Sequence, residues 1–255
     1  MPVTVSPAFA WPTTVVSMTD ISHTLIIGGG SGMGLALARS LLADGLEVTI
    51  AGRSRDRLDA AAVDLGSDRL HTAPVDIADE DSVRRLFQGI GRLGHVVVTA
   101  ADMSHGYAPL AQLPLADARG VIDTKVLGPW LVAKYAAPVL AESFTVTSGI
   151  AAYRPAVNGT VVATANAALE GLVRALALEL APVRVNAVSP GWVDTPIWTS
   201  LAGDAKDERL AAMAARLPVG RIGHPDDIAA AFRAVLDNGF LTGTVLHVDG
   251  GHHLV

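Results

Sequence analysis

One short run constrains the fold more than any other part of the chain. It is Gly28-Gly29-Gly30-Ser31-Gly32-Met33-Gly34, set between an apolar strand signal at 24–27 and an Ala/Leu helical stretch at 34–44. A glycine-rich turn placed after a strand and before a helix allows close approach. Side chains would block an incoming phosphate, and the helix N-terminus offers unpaired N–H groups and the positive end of its dipole. Taken alone, such a turn also reads as a plain tight connection.

The rest of the chain repeats the alternation. Strand signals fall at 47–51, 70–75, 95–99, 143–147, 184–188 and 244–248, and helical stretches at 57–65, 79–90, 116–140 and 164–180. Asp79 or Asp81 sits near the start of the third helix, and Gly128-Pro129 predicts a bend inside the long one. Strands separated by helices imply right-handed crossovers and a parallel sheet, so the expected class is α/β, one doubly wound Rossmann-type sheet with helices on both faces. No internal repeat and no second domain are visible. The segment 192–221 is the one long excursion, and such excursions often form lids.

Composition narrows the function. The chain has 255 residues, half of them apolar, enough for one substantial core. A net charge of −6 argues against a nucleic-acid partner. The absence of cysteine removes disulfides and thiolate metal sites without fixing the compartment. No uninterrupted apolar run reaches the roughly 18 residues of a membrane span, and a cytoplasmic location without membrane attachment is the expectation. Residues 1–17 carry Pro2, Pro7 and Pro12 and no basic leader. They read as a disordered or non-native extension, or as an arm on a neighbouring subunit, with Met18 as a candidate start.

Several ordered motifs together resemble the short-chain dehydrogenase/reductase family. The spacing Gly28, Gly32, Gly34 is similar to its coenzyme loop, with Ile27 where that family usually has Thr. Asp76-Ile77 resembles its adenine-contacting pair. The stretch from Asn186 to Pro196, with Pro190, Gly191, Val193 and Thr195, resembles the segment that meets the nicotinamide. The runs 221–229 and 241–251 match its C-terminal signatures, so the resemblance spans residues 22–251. It implies a nicotinamide coenzyme held by Gly28, Gly30, Ser31, Gly32, Met33, Gly34, Asp76, Ile77, Ala100 and Ala101. It also implies a small-molecule substrate and a homotetramer or homodimer. At the end of the second strand the chain reads Ala51-Gly52-Arg53-Ser54. NAD-binding relatives of this fold place a carboxylate there for the ribose 2′-hydroxyl. Gly52 removes it, Arg53 offers a forked cation suited to phosphate, and Ser54 adds a hydroxyl, so NADP(H) is expected over NAD(H). Arg53 as a solvated loop residue is the plainer alternative.

The chain departs from the family where the chemistry should be. There a Tyr moves the proton, a Lys lowers its pKa and holds the ribose, a Ser orients the carbonyl, and an Asn supports a water chain. Ser148 matches the Ser. The run Ala167-Ala168-Leu169-Glu170-Gly171-Leu172 fixes the helix register, placing Asn166 at the Lys position and Val162 at the Tyr position. Lys125 falls where the Asn belongs, and the family's Asn-Asn-Ala-Gly reads Thr99-Ala100-Ala101-Asp102. Lys and Asn have in effect exchanged places. One reading has Lys125 supply the positive charge, Asn166 bond the nicotinamide ribose and Ser148 hold the substrate. The other is a decayed site in which Lys125 only snorkels. Valine cannot donate a proton, so the acid must be Lys125 with its pKa lowered by burial, Asp102, Tyr153, His105, Tyr107 or a bound water. Asp102 can equally be a ribose or loop contact, and Tyr153 a packed aromatic. His252 and His253 lack further ligands nearby and read as surface or subunit-contact residues, with no metal expected. Trp192 and Trp198 flank the lid and face substrate or pack within it. An oxidoreductase with an atypical site is the leading expectation, and a non-catalytic NADP(H)-binding sensor or inactive subunit of a hetero-oligomer is the rival.

Overall fold

The computed structural model describes residues 23–103 and 105–255. The expectations for residues 1–17 and for Met18 lie outside the described residues. Seven parallel strands form the centre: β1 (His23–Ile27), β2 (Glu47–Gly52), β3 (Leu70–Pro74), β4 (Leu93–Val98), β5 (Leu140–Thr147), β6 (Arg184–Pro190) and β7 (Val245–Val248). Their order across the sheet is β3-β2-β1-β4-β5-β6-β7. The doubly wound α/β expectation therefore stands.

Strand β1 shows why both faces must be covered. Leu25 and Ile27 point to one side and Ile26 to the other, and all three are buried. The first face packs on α3 (Glu80–Gly89), α5 (Gly128–Ala136) and α6 (Thr160–Glu179) through Phe87, Val132 and Leu169. The second packs on α1 (Gly32–Ala43), α2 (Arg55–Leu65) and α9 (Pro225–Asp237) through Leu37, Leu58 and Phe232. By length and composition alone α6 could cross a membrane, with mean hydropathy 1.4 over its best window. Glu170 and Arg174 interrupt it, and Val162, Ala165, Leu169, Val173 and Leu176 bury its inner face in the core.

The long helix expected at 116–140 differs from that reading in two ways. It runs as α4 (Leu115–Ile122), a π-helical turn (Asp123–Leu127) and α5. Pro129 lacks the N–H that would bond the carbonyl of Lys125, and the wider turn just before it accommodates the loss. The helix also stops at Ala136, because Pro138 cannot extend it, and Leu140 already belongs to β5. Asp79 caps α3, its Oδ1 accepting from the Asp81 N–H at 3.0 Å. The excursion after β6 carries α7 (Ile197–Ala202), a 3₁₀ turn (Gly203–Ala205) and α8 (Lys206–Ala214). Its two ends are tied together, since Asp194 N donates to Gly223 O and Gly223 N to Trp192 O, both at 2.9 Å.

Candidate active site

Strand order reverses between β1 and β4, and open α/β sheets bind ligands in the crevice outside the C-terminal ends of such strands. The glycine turn leaves β1 at this point. Gly28 sits at φ +94° and Gly32 at φ +53°, conformations that favour glycine. A Cβ on Gly34 would lie 2.5 Å from the Gly28 carbonyl oxygen and 2.7 Å from Thr99 Oγ1. Thr99 pins the end of β4 to this turn: its N–H and that of Ala100 both donate to Ile27 O, at 2.8 and 3.0 Å. Ser31 is the N-cap of α1, and its hydroxyl makes no capping bond. Thr195 closes the crevice from the other side, its Cγ2 3.3 Å from the Cβ position of Gly32.

At the flank of the crevice, Arg53, Asp76, Ser82 and Arg85 line an open cavity of about 510 Å³. Asp76 Oδ1 accepts from Ala78 N at 3.0 Å, and its own N–H donates to Ser82 Oγ at 3.1 Å. Ile77 is buried against Gly128, where a Cβ would meet its side chain at 2.8 Å. Ser54 caps α2, its Oγ accepting from Arg57 N at 3.3 Å. Arg53 Nη2 donates to Asp102 Oδ2 at 2.9 Å. Arg85 escaped the sequence reading because it looked like an ordinary exposed helix charge. Ser82 was missed with it; the two lie three residues apart on one face of α3, and the available signal was their place just after Asp76-Ile77.

The second half of the site lies at the end of β5. Lys125, carried by the π-helical turn, is buried, and its Nζ donates to Thr147 O at 2.7 Å and Ser148 O at 3.3 Å. Burial pushes its pKa down to about 8. Ser148 is also buried, with its Oγ donating to the Asn166 carbonyl at 3.1 Å. Asn166 Nδ2 donates to Val162 O at 2.8 Å, while its Oδ1 is buried with no partner among the described residues. Lys125, Ser148 and Asn166 are thus gathered in one place. Val162 is 1% exposed. Its Cγ2 lies 2.7 Å from the Cβ position of Gly106, with Val121 Cγ2 at 3.1 Å. Val162 thus packs closely on Gly106 with Val121 nearby, and an aliphatic side chain stands where the resemblance implies a phenol.

The other candidate acids are spread out. Tyr153 stacks edge-on against His247 with ring centroids 4.4 Å apart. Burial, then the neighbouring Glu170 carboxylate, raises its pKa. Tyr107 lies beside Gly159, where a Cβ would sit 3.1 Å from its Cε1, and burial raises its pKa too. His105 is exposed. Above the crevice, Trp192 and Trp198 pair at 4.4 Å with planes tilted 41°, and Trp198 Nε1 donates to Val193 O at 2.8 Å. His252 is buried, and His253 Nδ1 hydrogen-bonds with Asp249 Oδ2 at 2.7 Å.

These features fit a dinucleotide. A glycine cradle that Cβ atoms would fill abuts a helix N-terminus, and a buried acceptor on Asn166 awaits a donor. Comparison with known proteins agrees. A family model described as enoyl-(acyl carrier protein) reductase matches residues 28–253. The short-chain dehydrogenase/reductase malC of Malbranchea aurantiaca is 34% identical over 247 residues, covering 90% of this chain and 93% of that one. Its structure, described as a reductase/Diels-Alderase, superposes with a TM-score of 0.86 at 32% identity, covering 92% and 97%. A small-chain dehydrogenase in complex with NADPH superposes at 0.77 with 34% identity, covering 92% and 100%. The chain belongs to the short-chain dehydrogenase/reductase family, whose members are nicotinamide-dependent oxidoreductases.

Proposed function

We propose that this chain is an NADP(H)-dependent reductase whose substrate needs no strong acid from the protein: an iminium ion first, including an imine protonated by solvent before hydride arrives, a polarised enone second, a simple carbonyl last. The observation that carries the reading is Val162, buried against Gly106 at the position the resemblance assigns to the acid, in a chain that keeps the glycine cradle. When bound, the coenzyme supplies a hydride. An iminium carbon that accepts it becomes a neutral amine, and no proton has to follow. A ketone leaves an alkoxide, which needs an acid at once. An enone leaves an enolate, which water can protonate.

The chain's own residues position rather than protonate. Asn166 Oδ1 accepts from a ribose hydroxyl, the role its missing partner points to. Ser148 can turn its hydroxyl from the Asn166 carbonyl toward a substrate nitrogen or oxygen. Lys125 holds the Thr147–Ser148 backbone and sets a positive potential behind it. Trp192 and Trp198 form an apolar, aromatic wall for the substrate. Arg53 supports the choice of NADP(H). The malC relative, described as a reductase/Diels-Alderase, supports reduction as the direction. A cytoplasmic homotetramer or homodimer completes the proposal.

The rival reading, a coenzyme-binding sensor or inactive subunit, draws on Lys125 itself, whose ammonium is already taken up by backbone carbonyls. Turnover separates the two. NADPH oxidation is followed with a cyclic iminium salt, an enone and a ketone at equal concentration. The expected order of rates is iminium, enone, ketone. Turnover of none, with NADPH still bound, would favour the sensor; a ketone as best substrate would mean that a protein acid operates after all.

A further inference from the structure

The Arg53–Asp102 ion pair crosses the coenzyme crevice. Arg53 follows β2 and Asp102 follows β4, while β1 lies between those strands in the sheet. The 2.9 Å contact therefore spans the end of β1, where the glycine turn begins. The side chains are 57% and 37% exposed, so solvent and ligand reach both. On one side lies the cavity with Asp76, Ser82 and Arg85. In this fold the residue at the end of the second strand meets the adenosine ribose at its 2′ position.

A carboxylate and a phosphate present the same sign of charge and the same forked acceptors to a guanidinium. Asp102 already occupies the cation that a 2′-phosphate would take. We propose that Asp102 sets coenzyme selectivity: it competes with the 2′-phosphate for Arg53, and it accepts a 2′-hydroxyl while Arg53 stays paired. A bare 2′-phosphate must displace the carboxylate and then lie near it, two unfavourable contributions that a ribose hydroxyl avoids. Asp102 thereby holds down the NADP(H) preference that Arg53 confers, and NADH remains a usable ligand. This inference rests on the nicotinamide reading above.

Calorimetric titration with NADPH and NADH tests it on the wild type, Asp102→Asn, Arg53→Ala and the double variant. Asp102→Asn is expected to tighten NADPH on the order of tenfold by removing one nearby negative charge, and to leave NADH unchanged or weaker. Arg53→Ala weakens NADPH, and in that background Asp102→Asn loses most of its effect. Equal tightening of both coenzymes would reduce the effect to general charge removal and overturn the inference. So would weaker NADPH binding in Asp102→Asn, or a gain that persists without Arg53. Failure of the wild type to bind either coenzyme would instead take down the nicotinamide reading, and the selectivity inference with it.

Discussion

Lys125 is the residue where chemistry and stability meet. Its ammonium is fully enclosed, bonded to the carbonyls of Thr147 and Ser148, with its pKa lowered to about 8 by desolvation. An unfolded lysine titrates near 10.4. Between these values the unfolded chain holds the extra proton, so stability rises with pH, and the burial penalty is fully present below about pH 8. Lys125→Met removes the titration. Urea unfolding at pH 7 and pH 10 should show the wild type gaining about 2–3 kcal/mol relative to Lys125→Met. A difference independent of pH would mean that the amine is not desolvated. The exchange of Lys and Asn between positions 125 and 166 was legible in the sequence, because the family register placed both. The partners of the ammonium were not, since backbone carbonyls carry no residue identity to read. The closeness of Gly106 to Val162 was hidden for a related reason: the two lie 56 residues apart and meet through the fold rather than along the chain.

Elements were read more reliably than their ends. The strands and most helices fall where alternation and apolar periodicity put them, because a sheet buried on both faces leaves little freedom in pattern. The exceptions are α9, which no helical stretch anticipated, and the long middle helix, where Pro129 and Pro138 have different outcomes. One sits just after a π-helical turn and the other after the end of α5. No local rule separates them; the packing of Gly128 on Ile77 belongs to the tertiary structure. The junction between β1 and α1 is tighter still. Gly34→Ala drives a methyl to 2.5 Å from the Gly28 carbonyl oxygen, with Thr99 Oγ1 also in the way. The expected result is a loss of about 1–3 kcal/mol in denaturant unfolding. NADPH affinity should fall on the order of tenfold or more, as the turn shifts. Unchanged affinity would mean that the turn does not shape the coenzyme site.

Across the whole molecule, the two edges of the sheet do different work. The C-terminal edge carries the glycine turn, Arg53, Asp102, Ser148 and the Trp pair. The N-terminal edge is structural, and Arg184 is its main tie. Starting β6, its guanidinium donates to the carbonyls of Val235, Leu236 and Asn238 at 2.9, 2.8 and 3.0 Å, closing the C-terminal end of α9. Arg184→Leu should lower stability by about 2–3 kcal/mol, a fall in Tm of about 5–10 °C, by leaving those carbonyls unpaired. NADPH affinity measured by titration should not change; a parallel loss would mean that the two edges are coupled.

The glycine turn between β1 and α1 and the altered positions Val162 and Asn166 on α6 belong to separate stretches of chain, joined only through the sheet. That division makes the scaffold permissive of inheritance by halves. On such a scaffold position 162 can change without touching the turn that cradles the dinucleotide, whereas position 166 serves both ends, so a new reaction is most freely tried by varying the first and keeping a coenzyme contact at the second.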